Sequence, residues 1–383
     1  MNSARDSLIL TAIMGFTLHI ENFRGLRKVE WSPDGVCVLI GPNGAGKSTL
    51  LMAQKFMSDV CQSGPGNAVV LASGAALLKH RDAANDEPIV LRIQDDTGRW
   101  EIRPRPLGVG IQLPLEERLW AGSNLLVEQK AGASKLVANG KEFVGSGDRS
   151  AVMTAMEESD GAGLAIPSSL FFFHIHHDPQ LLQLRGVGSK IGTDVELDSN
   201  AENLFTVLRN WQAGERQHRE RLEFVRRGMK EAFPDLFEDL DFEAAGQRVT
   251  ARFYVPGNDA AMPVHLAPSG LFVGLIHLAA VASADFGTVA IDEFENSLHP
   301  HAIKVLLDHI RRRADQKHLT VLLASHSPVV LNQFREQPDH AFVIKGGGSP
   351  VRLDELHDPE WLAQFSLGDL YANEDIGAPK RAS

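Results

Sequence analysis

The chain has 383 residues, 43% of them hydrophobic, and 38 basic against 49 acidic side chains give a net charge of −11. That length permits ample core, and the acidic balance argues against broad, nonspecific affinity for nucleic acid. Two cysteines, Cys37 and Cys61, offer no disulfide framework and fit a reducing cytoplasm, while no apolar run approaches the ~18 residues of a membrane helix.

Leu8 to Phe16 is mildly apolar, but Asp6 and the lack of a basic leader or cleavage site argue against a signal peptide, and residues 1–13, ahead of Met14, read as a loose extension. Phe16 to Leu26 follows, with Asn22-Phe23-Arg24-Gly25 within it. Val36 to Ile40 is an apolar run that reads as a buried strand, and Thr49 to Met57 is compatible with a helix. Between them, Gly41-Pro42-Asn43-Gly44-Ala45-Gly46-Lys47-Ser48-Thr49 fits the pattern G-x-x-x-x-G-K-[ST] in full. Its glycines let the backbone curl so that successive N–H groups face phosphate oxygens, and the helix N-terminus adds partial positive charge. In this pattern Lys47 reaches the β- and γ-phosphates and Ser48 ligates Mg²⁺. The spacing therefore predicts a bound nucleoside triphosphate.

Farther along, Pro88 to Ile93 and Gly98 to Ile102 alternate around Asp95-Asp96-Thr97-Gly98 and predict an antiparallel hairpin. Residues 131–150 are rich in Gly and Ser and contain the turn signal Asn139-Gly140. Ser169 to Ile175 reads as a strand and Pro179 to Leu184 as a short helix. His174 and His176 would share one face of that strand, yet no further ligand completes a metal site nearby; the segment reads as a strand end entering a loop. Apolar spacing predicts helices over Asn203–Trp211 and Leu222–Phe233, with polar residues 212–221 between them as a break or bend. Their arginines, like Arg311 to Arg313, have acidic neighbours and read as solvated faces or a local DNA contact. Gln247 to Val255 predicts a strand, Ser269 to Ser283 a buried helix, and Ala302 to Ala314 an amphipathic helix.

Two strands carry the remaining chemistry. Gly287 to Ile291 ends in Asp292-Glu293, an order that lets Asp292 hold Mg²⁺ and Glu293 polarise an attacking water. Leu319 to Ala324 ends in Ser325-His326-Ser327, placing a histidine where open α/β sheets meet ligands; it can hydrogen-bond a γ-phosphate. These roles converge on one site with the glycine-rich loop.

The order of P-loop, Ser269-Gly270, Asp292 to Pro300 and Ser325-His326-Ser327-Pro328 resembles the ABC-type ATPases. More narrowly, with the Asn22–Gly25 turn and the tail Phe365 to Tyr371, it resembles their soluble prokaryotic branch related to SMC, RecF and OLD proteins. The resemblance covers about residues 14–60 and 265–372. It implies an α/β P-loop NTPase fold of ABC-ATPase type, a mixed core sheet with a β-rich subdomain and a helical insertion. The expected divisions are an extension at 1–13, core at 14–165, a partly helical insertion at 166–260, core again at 261–372 and a tail at 373–383.

It further implies ATP as the nucleotide, contacted by Gly41, Asn43, Gly44, Ala45, Gly46, Lys47, Ser48 and Thr49, with Mg²⁺ on Ser48 and Asp292, and Glu293 and His326 as catalytic residues. ATP would be sandwiched between two protomers, with Ser269 and Gly270 of one facing the P-loop of the other. Pro268 stands where that family has a signature serine, a departure that weakens rapid hydrolysis, and His299-Pro300 replaces an acidic residue usual in transporter ATPases, which disfavours a transporter subunit. Ser269 can cap the helix and supply a hydroxyl; Arg24 lies near the nucleotide or makes a surface ion pair. Gln94 and Gln112 are candidates for a nucleotide-sensing glutamine without supporting context. The implied function is a cytoplasmic, homodimeric ATPase that gates DNA or a separately encoded effector such as a nuclease, in DNA maintenance or anti-phage defence. Alternatives are a non-hydrolysing ATP-gated scaffold, a transporter subunit and, least supported, a nuclease, since the acidic clusters of a Toprim domain are missing after His326.

Overall fold

In the computed structural model, which describes residues 15–106, 113–133, 135–145, 148–158, 167, 170, 172–175, 178–373 and 376, three sheets divide the chain. Residues that alternate between inside and outside build the first, an antiparallel sheet. Its strands are β1 (Thr17–Phe23), β2 (Leu26–Trp31), β4 (Val90–Gln94), β5 (Arg99–Pro104), β6 (Leu115–Ala121), β7 (Asn124–Gln129), β8 (Lys135–Ala138) and β9 (Lys141–Val144), in the order β2-β1-β4-β5-β6-β7-β8-β9. The expected hairpin is β4–β5. At the tip of β8–β9, Asn139 and Gly140 both have positive φ, 49° and 76°, as a two-residue hairpin turn matching strand twist requires. The β6–β7 pair was not foreseen.

The second sheet is the continuous apolar one: β3 (Val36–Ile40), β10 (Phe172–Ile175), β15 (Thr288–Ile291), β16 (Thr320–Ser325), β17 (Ala341–Val343) and β18 (Val351–Arg352). In the order β10-β15-β16-β3-β17-β18, all neighbours run parallel except β18. Parallel strands covered on both faces need apolar side chains throughout. Accordingly Val36, Val38 and Ile40 enter one core cluster, while Cys37 and Leu39 enter the other.

Helix α1 (Lys47–Ser63), followed by α2 (Pro65–Leu71), lies between this sheet and the antiparallel one, burying Leu50, Phe56 and Met57. Helix α3 (Ala151–Glu158) packs on β6 and β7, and α4 (Asp178–Gly186) leads to a small third sheet. That sheet comprises β11 (Ser189–Lys190), β12 (Asp239–Ala245), β13 (Arg248–Tyr254) and β14 (Met262–Pro263). Against the other face of the parallel sheet stand α7 (Ser269–Ser283) and α8 (Pro300–Lys317), and α5 (Leu204–Ala213) and α6 (Arg216–Ala232) pack on them and on the third sheet. Four short helices, α9 (Pro328–Asn332), α10 (Leu353–Leu356), α11 (Pro359–Leu362) and α12 (Leu367–Ala372), finish the chain.

Helix α6 starts at Arg216, six residues before the apolar spacing begins. Gly214 is extended and breaks the chain after α5, and the exposed first turn is held by Arg216 on Glu220 (2.8 Å) and by Arg219 donating to Gly214 O. Within the basic segments Arg221 and Arg313 pair with Asp285, Arg226 pairs with Asp239, and Arg311 lies over Phe334. His176, His177 and Gln112 lie outside the described residues, as do residues 1–14; the backbone of His174 pairs with Ala290. Among the described residues, no helix is long and apolar enough to cross a membrane, and no cluster of three metal-ligating side chains occurs.

Candidate functional site

The loop after β3 is shaped by places where a side chain cannot go. A Cβ on Gly41 would lie 2.3 Å from the carbonyl oxygen of Ile344, and Gly46 has φ 106°, a left-handed conformation open to glycine. Gly46 is also the N-cap of α1 and brings no side chain to that end. The first-turn N–H groups of a helix lack intrahelical acceptors, so a glycine cap leaves them to whatever enters the loop. Lys47 opens the helix, and its Nζ donates to Gly41 O at 2.7 Å and Pro42 O at 3.3 Å. Burial pulls the Lys47 ammonium below its ordinary pKa, while the carboxylates of Asp292, Glu295 and Glu293 pull it back up.

Opposite this loop, β15 and β16 end side by side. The chain leaves β15 through Asp292 and turns at Glu293, whose φ of 52° is left-handed despite its side chain. The turn is locked: Phe294 is fully buried, His277 stacks on it, and its carbonyl lies 2.9 Å from His277 Nε2. Asn296 donates to Glu293 Oε2 (3.2 Å) and its N–H to Glu293 O. Beyond β16, His326 is held by Glu295, whose Oε1 accepts the backbone N–H (3.0 Å) and lies 3.2 Å from Nδ1.

Together residues 43–49, Asp292, Glu293 and residues 324–326 line one cleft of about 230 Å³. Sites that enclose a whole small molecule typically span about 300–1,000 Å³, so this cleft suits part of a ligand rather than all of it.

Two family models match the sequence. Residues 160–332 match a family model described as "AAA domain, putative AbiEii toxin, Type IV TA system", and residues 17–58 match a second AAA-domain model. The second match contains the 41–49 loop, and the first contains Asp292, Glu293 and His326. No curated protein matches the sequence. Among solved structures, an SMC head bound to the C-winged helix domain of ScpA is 12% identical, covering 90% of this chain and 100% of that one, at TM-score 0.49. The SMC head domain from Thermotoga maritima is 12% identical (89% and 99% covered, TM-score 0.42), and an ATP-binding cassette of an ABC transporter in its ADP conformation is 13% identical (94% and 96%, TM-score 0.39). Such low scores add nothing to the strand order and loop geometry already described. The fold is α/β of P-loop NTPase type.

The residues present fit a nucleoside triphosphate with a divalent cation. An uncapped helix start, a lysine and two hydroxyls offer donors to phosphate, while Ser48 and Asp292 offer the hard oxygen ligands that Mg²⁺ takes.

Four sequence candidates do not line the cleft: Gly41, whose carbonyl accepts from Lys47 Nζ, Arg24, and Ser269 and Gly270, which the resemblance assigns to the loop of a second protomer. Arg24 turns away at φ 50°; its guanidinium donates to Met52 Sδ and Ala72 O beneath Phe23, and burial pulls its pKa down. The chain reverses direction at that residue and α2 offers its terminal carbonyl there, so neither a surface ion pair nor the cleft receives it. Ser269 does not cap α7, because Pro268 is the N-cap and Ser269 Oγ accepts from Arg185 Nη2 at 2.9 Å. Gly270 has a reason within its own chain: a Cβ there would approach Ser297 O at 2.8 Å.

Two residues that sequence reasoning passed over sit beside the loop. Glu295 is one, legible only as another acid in an acidic run. Tyr371 is the other; its hydroxyl donates to Gly41 O at 3.2 Å, and burial raises its pKa. A tail residue 330 positions away offers no local signal.

Proposed function

We propose that this protein is an ATPase that binds Mg²⁺-ATP on the 41–49 loop and hydrolyses it slowly between two copies of the chain. The observation that carries this reading is the meeting of the loop lysine, the Asp292-Glu293 pair and His326 on one cleft. Lys47 would exchange its two carbonyl acceptors for β- and γ-phosphate oxygens, and α1 N–H groups would hold the rest of the chain of phosphates. Ser48 and Asp292 would hold Mg²⁺, which offsets phosphate charge when bound. Glu293 would take the proton of a water as its oxygen bonds to the γ-phosphorus and the bond to ADP breaks; His326 would donate to a γ-phosphate oxygen.

The cleft's small size supports a nucleotide that is covered from outside, and a second protomer is the natural cover given the resemblance to dimeric ATPases. The match to an AAA domain described for an AbiEii toxin supports a defence or toxin setting, with the nucleotide state gating a separately encoded effector or DNA.

A second reading is favoured by one contact. Pro268 removes the family's signature hydroxyl, and Ser269 next to it is engaged by Arg185. A protein that closes on ATP without turning it over would look like this. Phosphate release separates the two: wild type should exceed Glu293→Gln when measured alone, with DNA or with the product of a neighbouring gene. Equal rates in all three leave the ATP-gated scaffold.

A further inference from the structure

Helix α12 carries Tyr371 to the base of the 41–49 loop, and its seat there is closely built. Asn332, at the end of α9, accepts on Oδ1 from Ser366 Oγ (2.9 Å) and from the Gly368 N–H (2.7 Å). Gly368 approaches α9 so closely that a Cβ would meet Pro328 O at 2.6 Å, and Leu367 and Leu370 are buried in the core beside it. Helix α9 itself starts straight after His326 and Ser327. The tail helix is thus fixed to the element that follows the cleft histidine, and from there its Tyr371 hydroxyl donates to Gly41 O at 3.2 Å. Burial raises the pKa of that phenol, so it keeps the proton it donates.

The oxygen that Tyr371 holds is one that Lys47 must give up. Gly41 is buried, and the next residue is Pro42, so the peptide between them has no N–H and its carbonyl is its one hydrogen-bonding group. That carbonyl accepts from Lys47 Nζ at 2.7 Å as well as from Tyr371. The second acceptor of Lys47, Pro42 O, is likewise shared, since it takes the Ala45 N–H at 3.1 Å. When phosphate draws the lysine away, Pro42 O keeps Ala45 and Gly41 O keeps Tyr371. We infer that Tyr371 is a positioning residue that keeps the Gly41 carbonyl paired when Lys47 turns to the phosphates; this rests on the ATPase reading above. A buried carbonyl left without a donor costs free energy, and here that cost would oppose nucleotide binding. The hydroxyl therefore matters little while Lys47 shares the oxygen and most once the lysine has gone. A bond that served stability alone would matter equally in both states.

Tyr371→Phe removes the hydroxyl and keeps the ring, and two measurements read the result, one of them without nucleotide. In nucleotide-free protein, denaturant titration should show the folded-to-unfolded ratio falling by no more than about 3-fold when Tyr371→Phe is made in wild type. The same change made in Lys47→Ala, where Tyr371 is the donor that remains, should lower that ratio about 10–100-fold. In calorimetry, Tyr371→Phe should weaken Mg²⁺-ATP binding about 5–30-fold, because the bound state is the one that loses its donor. Equal losses of stability in the two backgrounds, or full ATP affinity in folded Tyr371→Phe, overturns the assignment. Wild type that binds no Mg²⁺-ATP overturns the ATPase reading itself, and this assignment with it.

Discussion

Two clusters built around acidic side chains in this molecule have opposite designs. In the antiparallel sheet, Glu117 is completely buried and both its oxygens are used: Oε1 accepts from Trp100 Nε1, Ser150 Oγ and Val152 N, and Oε2 from Ala151 N. It welds β6 to the start of α3 and nothing reaches it from solvent. At the cleft, Asp292, Glu293 and Glu295 stand on a turn with left-handed backbone, lining or backing an opening, and one Glu295 oxygen has no partner among the described residues. The first arrangement satisfies a charge so that it can stay inside. The second keeps charge where an incoming group can meet it, and accepts backbone strain of about 1–3 kcal/mol to aim it.

The contrast is broken most severely by Glu117→Ala. Four donors lose their acceptor in a dry interior, so unfolding free energy should drop by about 3–5 kcal/mol. Denaturant titration measures it, and a loss below about 1 kcal/mol would mean that Glu117 is no weld. Lys47→Ala should do the reverse, leaving the denaturation midpoint nearly unchanged while ATP affinity falls about 100-fold, or roughly 2.7 kcal/mol. Calorimetry showing full affinity in the folded variant would remove the 41–49 loop from nucleotide binding.

A smaller effect sharpens the comparison through pH. Burial drives the Glu117 carboxyl above the usual carboxylate range despite the hydrogen bonds from Ser150, Val152, Ala151 and Trp100 that oppose it. A folded-state pKa above the unfolded value means stability that is complete below the unfolded pKa and is lost as pH rises through the folded one. Wild type should therefore exceed Glu117→Gln in stability most at acidic pH, with the gap narrowing toward neutrality. A gap that widens with pH reverses the sign. Smallest is Glu293→Gly, which relieves the left-handed φ of 52°: hydrolysis should vanish while stability holds or rises by about 0.5–1 kcal/mol. A marked loss of stability would show that the Glu293 side chain, with its Asn296 contact, is structural.

What could be read from the sequence was whatever is local. The 41–49 loop is contiguous, so its glycines announce the curl, and Asp292 and His326 each end a run of apolar residues whose strand character is plain. The β8–β9 turn was equally visible in Asn139-Gly140. Relations across the chain were hidden. Arg24 looks like a loop cation until α2 is seen to supply its acceptor, and Glu295 gains meaning only because β15 and β16 are neighbours. The β6–β7 pair is charged along its solvent side, with Arg118 held by Glu116 and Glu128, and so presents an alternation too polar to stand out. Helix α6 began early because its first turn depends on ion pairs rather than on apolar spacing.

The strand order β10-β15-β16-β3-β17 also sets a timetable. Strand β3 is made first, but both of its neighbours, β16 and β17, come from residues 320–325 and 341–343. During synthesis at about 5–20 residues per second, some 300 residues and roughly 15–60 s separate the emergence of β3 from that of its last partner. The antiparallel sheet, whose strands mostly pair with sequence neighbours, can assemble during that wait. The nucleotide cleft is therefore among the last parts of the molecule to exist, and a chain that stops before residue 320 holds the glycine loop and Asp292-Glu293 but lacks β16, the strand that sets them side by side, and His326.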